Sequence, residues 1–243
     1  MVTGKHVWLV GGKKNRTVAK YDPLGKRTTT VCELDRSRHS FGACLLEGDR
    51  ILVAGGCTED SWSTDSTFLL DTATGAVEEA GKMLRRRRAF ALVECRGAAY
   101  AIGGLAGLRD MRSVEMFDGS GGWKKAPFEL NVGRRHHCAV AHDHLIYVFG
   151  GEAGSDRHSV FDSVERIDTR TNRVETISAK LSAPRSACSA SKVGSRVFLL
   201  GGVTRRYDAT DKLEWFDLEE EKMGGWAGES MPTENVCFTA CVL

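Results

Sequence analysis

Five short apolar runs in this chain, residues 7–12, 51–56, 100–104, 146–151 and 197–202, each end in a pair of glycines. Their first glycines, Gly11, Gly55, Gly103, Gly150 and Gly201, stand 44, 48, 47 and 51 residues apart. A period near 50 means that one small unit is built repeatedly and buries its apolar surface against its neighbours. Two glycines at a strand end are explained by close backbone approach, where no side chain fits.

Two further features keep step with the glycines. A hydrophobic residue followed by Asp closes a later run in every copy: Tyr21-Asp22, Leu70-Asp71, Phe117-Asp118, Ile167-Asp168 and Phe216-Asp217. At a strand end such a carboxylate can accept the N–H groups of a following turn. Before four of the glycine pairs stands a basic cluster: Arg36 to His39, Arg85 to Arg88, Arg134 to His137, and Arg185. Residues 232–237 read as a fifth copy of this segment without the basic side chains. The apolar runs are nearly continuous, which implies strands covered on both faces. Each repeat then supplies four strands: one after the basic cluster, one ending at the glycines, one ending at Asp, and a fourth marked by Trp123 or Val174.

With these marks the chain resembles the kelch-repeat family over essentially its whole length. The double glycine, the Tyr-Asp-type pair and the tryptophans Trp123 and Trp226 carry the resemblance. The first, second and fourth copies have Val31, Val77 and Val174 in place of that Trp. The expected fold is an all-β kelch β-propeller of five four-stranded blades, forming a single domain over residues 1–243. The chain starts at a second strand and ends in a first-type strand, residues 236–243. That C-terminal strand is therefore expected to pair into the first blade and close the ring, removing its exposed edge.

The basic loops all enter innermost strands and should open on one face, around one mouth of the central channel. The expected partner-binding residues are Arg36, Arg38, His39, Arg86, Arg88, Arg134, Arg135, His136 and Arg185. Arginine suits carboxylates and carbonyls, so the expected partner is a protein or peptide with an acidic or hydrogen-bonding loop. Any one of these arginines could instead belong to the fold, spanning blades or capping carbonyls. In family members that serve cullin-RING ubiquitin ligases, this face takes the degron. The resemblance carries that role to Arg38, Arg88, Arg135 and Arg185, which precede the following glycine pair by 17, 15, 15 and 16 residues. No segment of the chain reads as a BTB or F-box module. An actin or cytoskeletal scaffold is the next reading within the binding class.

Other classes find little support. A formal net charge of +2 gives no argument for nucleic acid or an acidic membrane. No apolar run approaches the roughly 20 residues needed to span a bilayer, and the first residues lack a signal-peptide pattern. A monomeric, cytoplasmic protein without cofactors is expected. The eight cysteines form no CxxC pair, and free thiols are the default reading. Cys138, Cys188 and Cys237 are read as one repeated inner-strand position with a packing role. The stretch from His136 to His144 would split its side chains between two strand faces, which disfavours a metal site. No nucleophile elbow, HExxH pair or dinucleotide fingerprint is present. An enzyme would need a metal or a carboxylate–histidine cluster at the channel mouth, so the chain is read as a non-enzyme. The acidic stretch 218–223 reads as a solvated loop that could offer a patch to a second partner.

Overall fold

The computed structural model describes residues 2–3, 6–119, 121–154, 159–204 and 208–232, and among them every regular element is a β-strand. The strands form a five-bladed β-propeller of four-stranded antiparallel sheets. Blade 1 holds β1 (Val2–Thr3), β2 (His6–Gly12), β3 (Asn15–Asp22) and β4 (Arg27–Glu33). Blade 2 holds β5 (Gly42–Leu46), β6 (Arg50–Ala54), β7 (Ser66–Asp71) and β8 (Val77–Lys82). In blade 3, β9 (Ala91–Cys95) and β10 (Ala98–Ile102) are followed by a small hairpin, β11 (Leu105–Ala106) and β12 (Arg109–Asp110). Two more strands, β13 (Ser113–Phe117) and β14 (Trp123–Glu129), complete that blade. Blade 4 repeats the plan with β15 (Cys138–His142), β16 (Leu145–Phe149), the hairpin β17 (Glu152–Ala153) and β18 (Ser159–Val160), β19 (Ser163–Asp168) and β20 (Arg173–Lys180). Blade 5 holds β21 (Ser189–Val193), β22 (Arg196–Leu200), β23 (Lys212–Asp217) and β24 (Lys222–Ser230).

Alternation along the second strand explains the continuous apolar runs. Ile51 and Val53 pack back against Trp8 and Val18 of blade 1, while Leu52 and Ala54 pack forward against Ala99 and Ala101 of blade 3. The same division recurs with Tyr100 and Ile102 against Ile146 and Val148, then Tyr147 and Phe149 against Val197 and Leu199. A single-residue register slip would exchange the two faces. The repeated Asp closes a turn in each blade. Asp71 Oδ1 accepts the N–H groups of Ala73 and Thr74 at 2.9 and 2.8 Å, and Asp217 Oδ1 those of Glu219 and Glu220 at 3.0 and 3.1 Å. The backbone N–H of Thr74 at Asp71, and that of Glu220 at Asp217, hold these carboxyls below the usual range.

Two details depart from expectation, the tryptophan position and the register of Cys188, and the ring closure falls on residues that are not described. The residue opposite the Tyr-Asp-type position is Trp123 in blade 3 but Thr28 in blade 1 and Met223 in blade 5, so neither Val31 nor Trp226 holds that place. Val2–Thr3 pairs with the first two residues of β2, His6 and Val7, on the edge where the C-terminal strand is expected to close the ring. Residues 233–243, to which that closure was assigned, lie outside the described residues. Finally, the innermost strands begin at Cys138 in blade 4 and Ser189 in blade 5. Cys188 therefore corresponds to His137 rather than to Cys138. Cys237 lies outside the described residues.

Candidate functional site

Because the strands are antiparallel, one rim of the propeller collects each glycine pair, the loop after it, and the loop that leads into the next blade. Each of the four described loops that lead into the next blade holds one non-glycine residue with left-handed backbone: Ser40, Ala89, His136 and Ala187, with φ of 54°, 52°, 52° and 53°. They link the blades in series. Ala89 N–H donates to the Ser40 carbonyl (2.8 Å), His136 N–H to Ala89 (2.8 Å) and Ala187 N–H to His136 (2.7 Å).

Two residues before each stands an arginine, Arg38, Arg87, Arg134 or Arg185, and all four are 0–1% exposed. Each guanidinium donates to the carbonyl of the first glycine in the blade it enters: Gly55 at 2.9, Gly103 at 2.9, Gly150 at 2.8 and Gly201 at 3.3 Å. The backbone carbonyl of the same arginine accepts the second glycine's N–H from the preceding blade. Gly12 reaches Arg38 at 2.9 Å, Gly56 reaches Arg87 at 2.9 Å, Gly104 reaches Arg134 at 2.8 Å and Gly151 reaches Arg185 at 2.9 Å. The double glycine and the arginine are thus two halves of one inter-blade connector. Space is the reason for glycine: a Cβ on Gly103 (φ 59°) would sit 2.8 Å from the Arg134 carbonyl oxygen.

A buried glutamate completes the connector in three blades. Glu115 meets Arg87 at 2.6 Å and accepts the N–H groups of Leu84 (2.7 Å) and Arg85 (3.1 Å). Glu165 pairs with Arg134, and Glu214 with Arg185 at 2.8 Å. Blade 2 has Phe68 at this position, and Arg38 stacks over that ring at 4.9 Å. A buried charge is tolerated only when paired and hydrogen-bonded; the Nη groups meet this, while the Nε of Arg38, Arg87 and Arg185 is buried without a hydrogen-bond partner. Burial still lowers the pKa of Arg38, Arg87 and Arg134.

Burial therefore removes Arg38, Arg134 and Arg185 from the accessible surface, and the fold-building alternative describes them. The repeated arginine was misplaced by one residue in two copies. Arg87 and Arg134 hold the position, and Arg88 and Arg135 follow it. Arg135 is also spent internally, on Asp110 (2.5 Å), Glu152 (3.1 Å) and the Gly154 carbonyl (3.0 Å). His136 Nδ1 lies 3.0 Å from the same Glu152 oxygen, and Ser186 Oγ donates to its other oxygen at 3.2 Å. Against the desolvation that would raise it, these partners bring the Glu152 carboxyl down to about 2. Arg36 pairs with Asp60, Arg86 lies 3.8 Å from Asp65, and His39 is half-buried beside Ser40.

Arg88 is different. It is half-buried, its guanidinium lies over the Trp62 ring at 5.5 Å, and it donates to the Trp62 carbonyl at 2.8 Å. Trp62 is 83% exposed. Leu108, at the tip of the β11–β12 hairpin, is 97% exposed, and Leu84 and Val132 in the entering loops are 59% and 43% exposed. The hairpin is fixed beside Arg88 by paired backbone bonds between Arg88 and Leu105 at 2.8 and 3.1 Å. The exposed Arg85 and Arg109 of the same loops form no ion pair with a described residue. Exposed apolar side chains and arginines thus stand together only in sharing this rim, and aromatic residues and arginine are types enriched in protein-binding surfaces.

Sequence reasoning passed over Trp62 and Leu108. Trp62 could have been found as a lone aromatic in the polar stretch 58–66. The buried glutamates also had a signal, standing three residues before Asp118, Asp168 and Asp217. The acidic stretch 218–223 is not wholly solvated, because Glu221 accepts from Tyr147 (2.8 Å) and Arg166 (2.7 Å). Among the described residues, no three His, Cys, Asp or Glu side chains converge to hold a metal ion. No helix among them is long and apolar enough to cross a membrane.

A family model described as the KLHDC2/KLHL20/DRC7 Kelch-repeats domain matches residues 1–202. Kelch-like protein 23 of Homo sapiens is 27% identical over 222 residues, which cover 87% of this chain and 39% of that protein. Kelch-like protein 35 of Mus musculus is 27% identical over 246 residues, covering 96% of this chain and 39% of the relative. The Kelch repeat and BTB domain-containing protein 2 of cowpox virus (strain GRI-90 / Grishak) is 24% identical over 127 residues, covering 52% and 23%. The chain thus spans well under half the length of these curated relatives.

Proposed function

The chain belongs to the kelch-repeat family, and on that footing we propose that it is a non-catalytic interaction module whose partner docks on the glycine-pair rim of blades 2 to 4. One observation carries this reading: four exposed apolar side chains, Trp62, Leu84, Leu108 and Val132, share that rim with Arg85, Arg86, Arg88 and Arg109. The partner segment offers an apolar or aromatic residue to Trp62 and Leu108 and a carboxylate to the arginines. Arg36 and His39 lie toward blade 1 on the same rim. Arg135 and His136 shape it from beneath, through Glu152. Tryptophan and arginine are the residues most often found at binding hot spots.

A finer version makes the module a substrate receptor for a cullin-RING ubiquitin ligase, the role that the resemblance to the kelch-repeat family implies. It is tested by immunoprecipitating the protein from the cells that make it and probing for a cullin. Absence of a cullin would remove the ligase role and leave the binding module intact.

The docking reading is tested with a displayed library of random peptides selected on the full chain. Retained peptides are expected to combine acidic and apolar residues and to be lost on a Trp62→Ala, Leu108→Ala double variant. Peptides without acidic residues, held equally by that variant, would overturn it.

A further inference from the structure

Cys138 opens β15 in blade 4, and Cys188 stands one residue before β21 in blade 5. Although 50 residues apart in sequence, their Sγ atoms lie 3.5 Å from each other, in van der Waals contact across the blade boundary. The two segments are held in place on both sides. Ala187 N–H bonds the His136 carbonyl at 2.7 Å, and Arg185 beside Cys188 is locked to Glu214 at 2.8 Å. Cys138 is half-buried and Cys188 is buried. The other described cysteines are elsewhere and differently engaged. Cys57 Sγ meets the Trp62 carbonyl and Cys95 Sγ the Asp143 carbonyl, at 3.2 and 3.3 Å, while Cys32 and Cys44 lie in β4 and β5. Burial and packing alone would account for one small side chain at this place, but not for two thiols facing each other on separate blades.

We propose that Cys138 and Cys188 form a dithiol site at the rim that closes to a disulfide, joining blades 4 and 5, when oxidised by a hydroperoxide. The hydrogen bond from Cys138 and the charge of Arg185 both act to lower the Cys188 thiol, which makes it the nucleophile. The Cys188 thiolate attacks the distal peroxide oxygen. An S–O bond forms, the O–O bond breaks, and the departing oxyanion takes up a proton. Cys138 then attacks the sulfenic sulfur, the S–S bond forms, the S–O bond breaks, and hydroxide leaves as water with the Cys138 proton. With hydrogen peroxide, two thiols are oxidised by two electrons and two waters are released. Closing from 3.5 Å to the ~2 Å of a disulfide needs side-chain rotation at both residues.

The test uses the reduced full chain, treated with one equivalent of hydrogen peroxide, blocked with iodoacetamide and mapped by peptide mass spectrometry. The expected product is a Cys138–Cys188 cross-linked peptide, with an intact mass lower by two hydrogens, reversed by dithiothreitol. In a separate sample, one equivalent of phenylarsine oxide should protect both thiols from alkylation. Cys138→Ser and Cys188→Ser should each abolish the cross-link and the protection. The wild-type readouts stand by themselves if either variant fails to fold. Separate oxidation of the two cysteines to sulfinic acid, failure of the arsenical to protect them, or cross-links spread over the other cysteines would overturn the site.

Discussion

The Arg88 guanidinium lies 5.5 Å over the ring of Trp62 and donates to the Trp62 backbone carbonyl at 2.8 Å. One side chain thereby holds both the ring and the loop of an aromatic residue that is otherwise open to solvent. Such ordering lowers the entropy that a partner must remove on binding, and the stacked cation adds an attraction of about 0.5–1 kcal/mol at an exposed site. Arg88→Ala should therefore weaken a selected acidic-apolar peptide by about two- to fivefold in titration calorimetry, with the thermal midpoint unchanged. Equal affinity in wild type and variant would remove Arg88 from the binding surface.

The preceding arginines should behave in the opposite way. Arg134→Ala leaves Glu165 buried and unpaired, and loss of one partner of a buried ion pair costs about 3–5 kcal/mol. Arg36→Ala, which breaks only the exposed pairs with Asp60 and Asp35, should change stability by less than ~1 kcal/mol. Urea denaturation separates the two. Equal midpoints would show that the connector is not what holds the loops.

Glycine is required at Gly103 for two reasons, a left-handed φ and a carbonyl 2.8 Å from any Cβ, whereas Gly48 (φ 73°) faces open space. Gly103→Ala should cost well over ~1 kcal/mol, and Gly48→Ala should cost less. The same denaturation series measures both, and equal losses would make close approach irrelevant.

His137 takes the place that Phe41 and Phe90 hold in earlier copies. Both its ring nitrogens are buried without a hydrogen-bond partner. Desolvation first, then the nearby charges of Arg134 and His136, bring its pKa down to about 3. The unfolded chain binds this proton below pH ~6.5 and the folded chain does not. The histidine's contribution is therefore intact above pH ~6.5 and falls with decreasing pH, by about 1 kcal/mol per unit, until about 3. His137→Phe should flatten that part of the stability–pH profile. Superimposable profiles would mean that His137 is protonated or solvated in the fold.

The blade plan was legible because its marks are backbone requirements. A glycine pair under a carbonyl and an aspartate at a turn leave little choice of residue, so both recur on schedule. Arginine was legible as a type but not as a role. Arg87 and Arg88 are adjacent, yet one is sealed against Glu115 and the other lies on Trp62. Only the geometry of the entering loop distinguishes them. A left-handed residue that is Ser, Ala or His in different copies gives no residue-type signal, and for that reason the register of Cys188 slipped by one. Trp62 and Leu108 stand in loops that differ between copies, where repetition offers no guide.

Hydrogen exchange of the full chain, with and without a peptide selected from the displayed library, tests the docking surface most directly. The expected result is slower exchange in loops 57–65, 84–90 and 105–112, with the opposite-rim hairpins at 47–49, 96–97 and 143–144 unchanged. Protection confined to that opposite rim, or none in the loops bearing Trp62 and Leu108, would contradict the account.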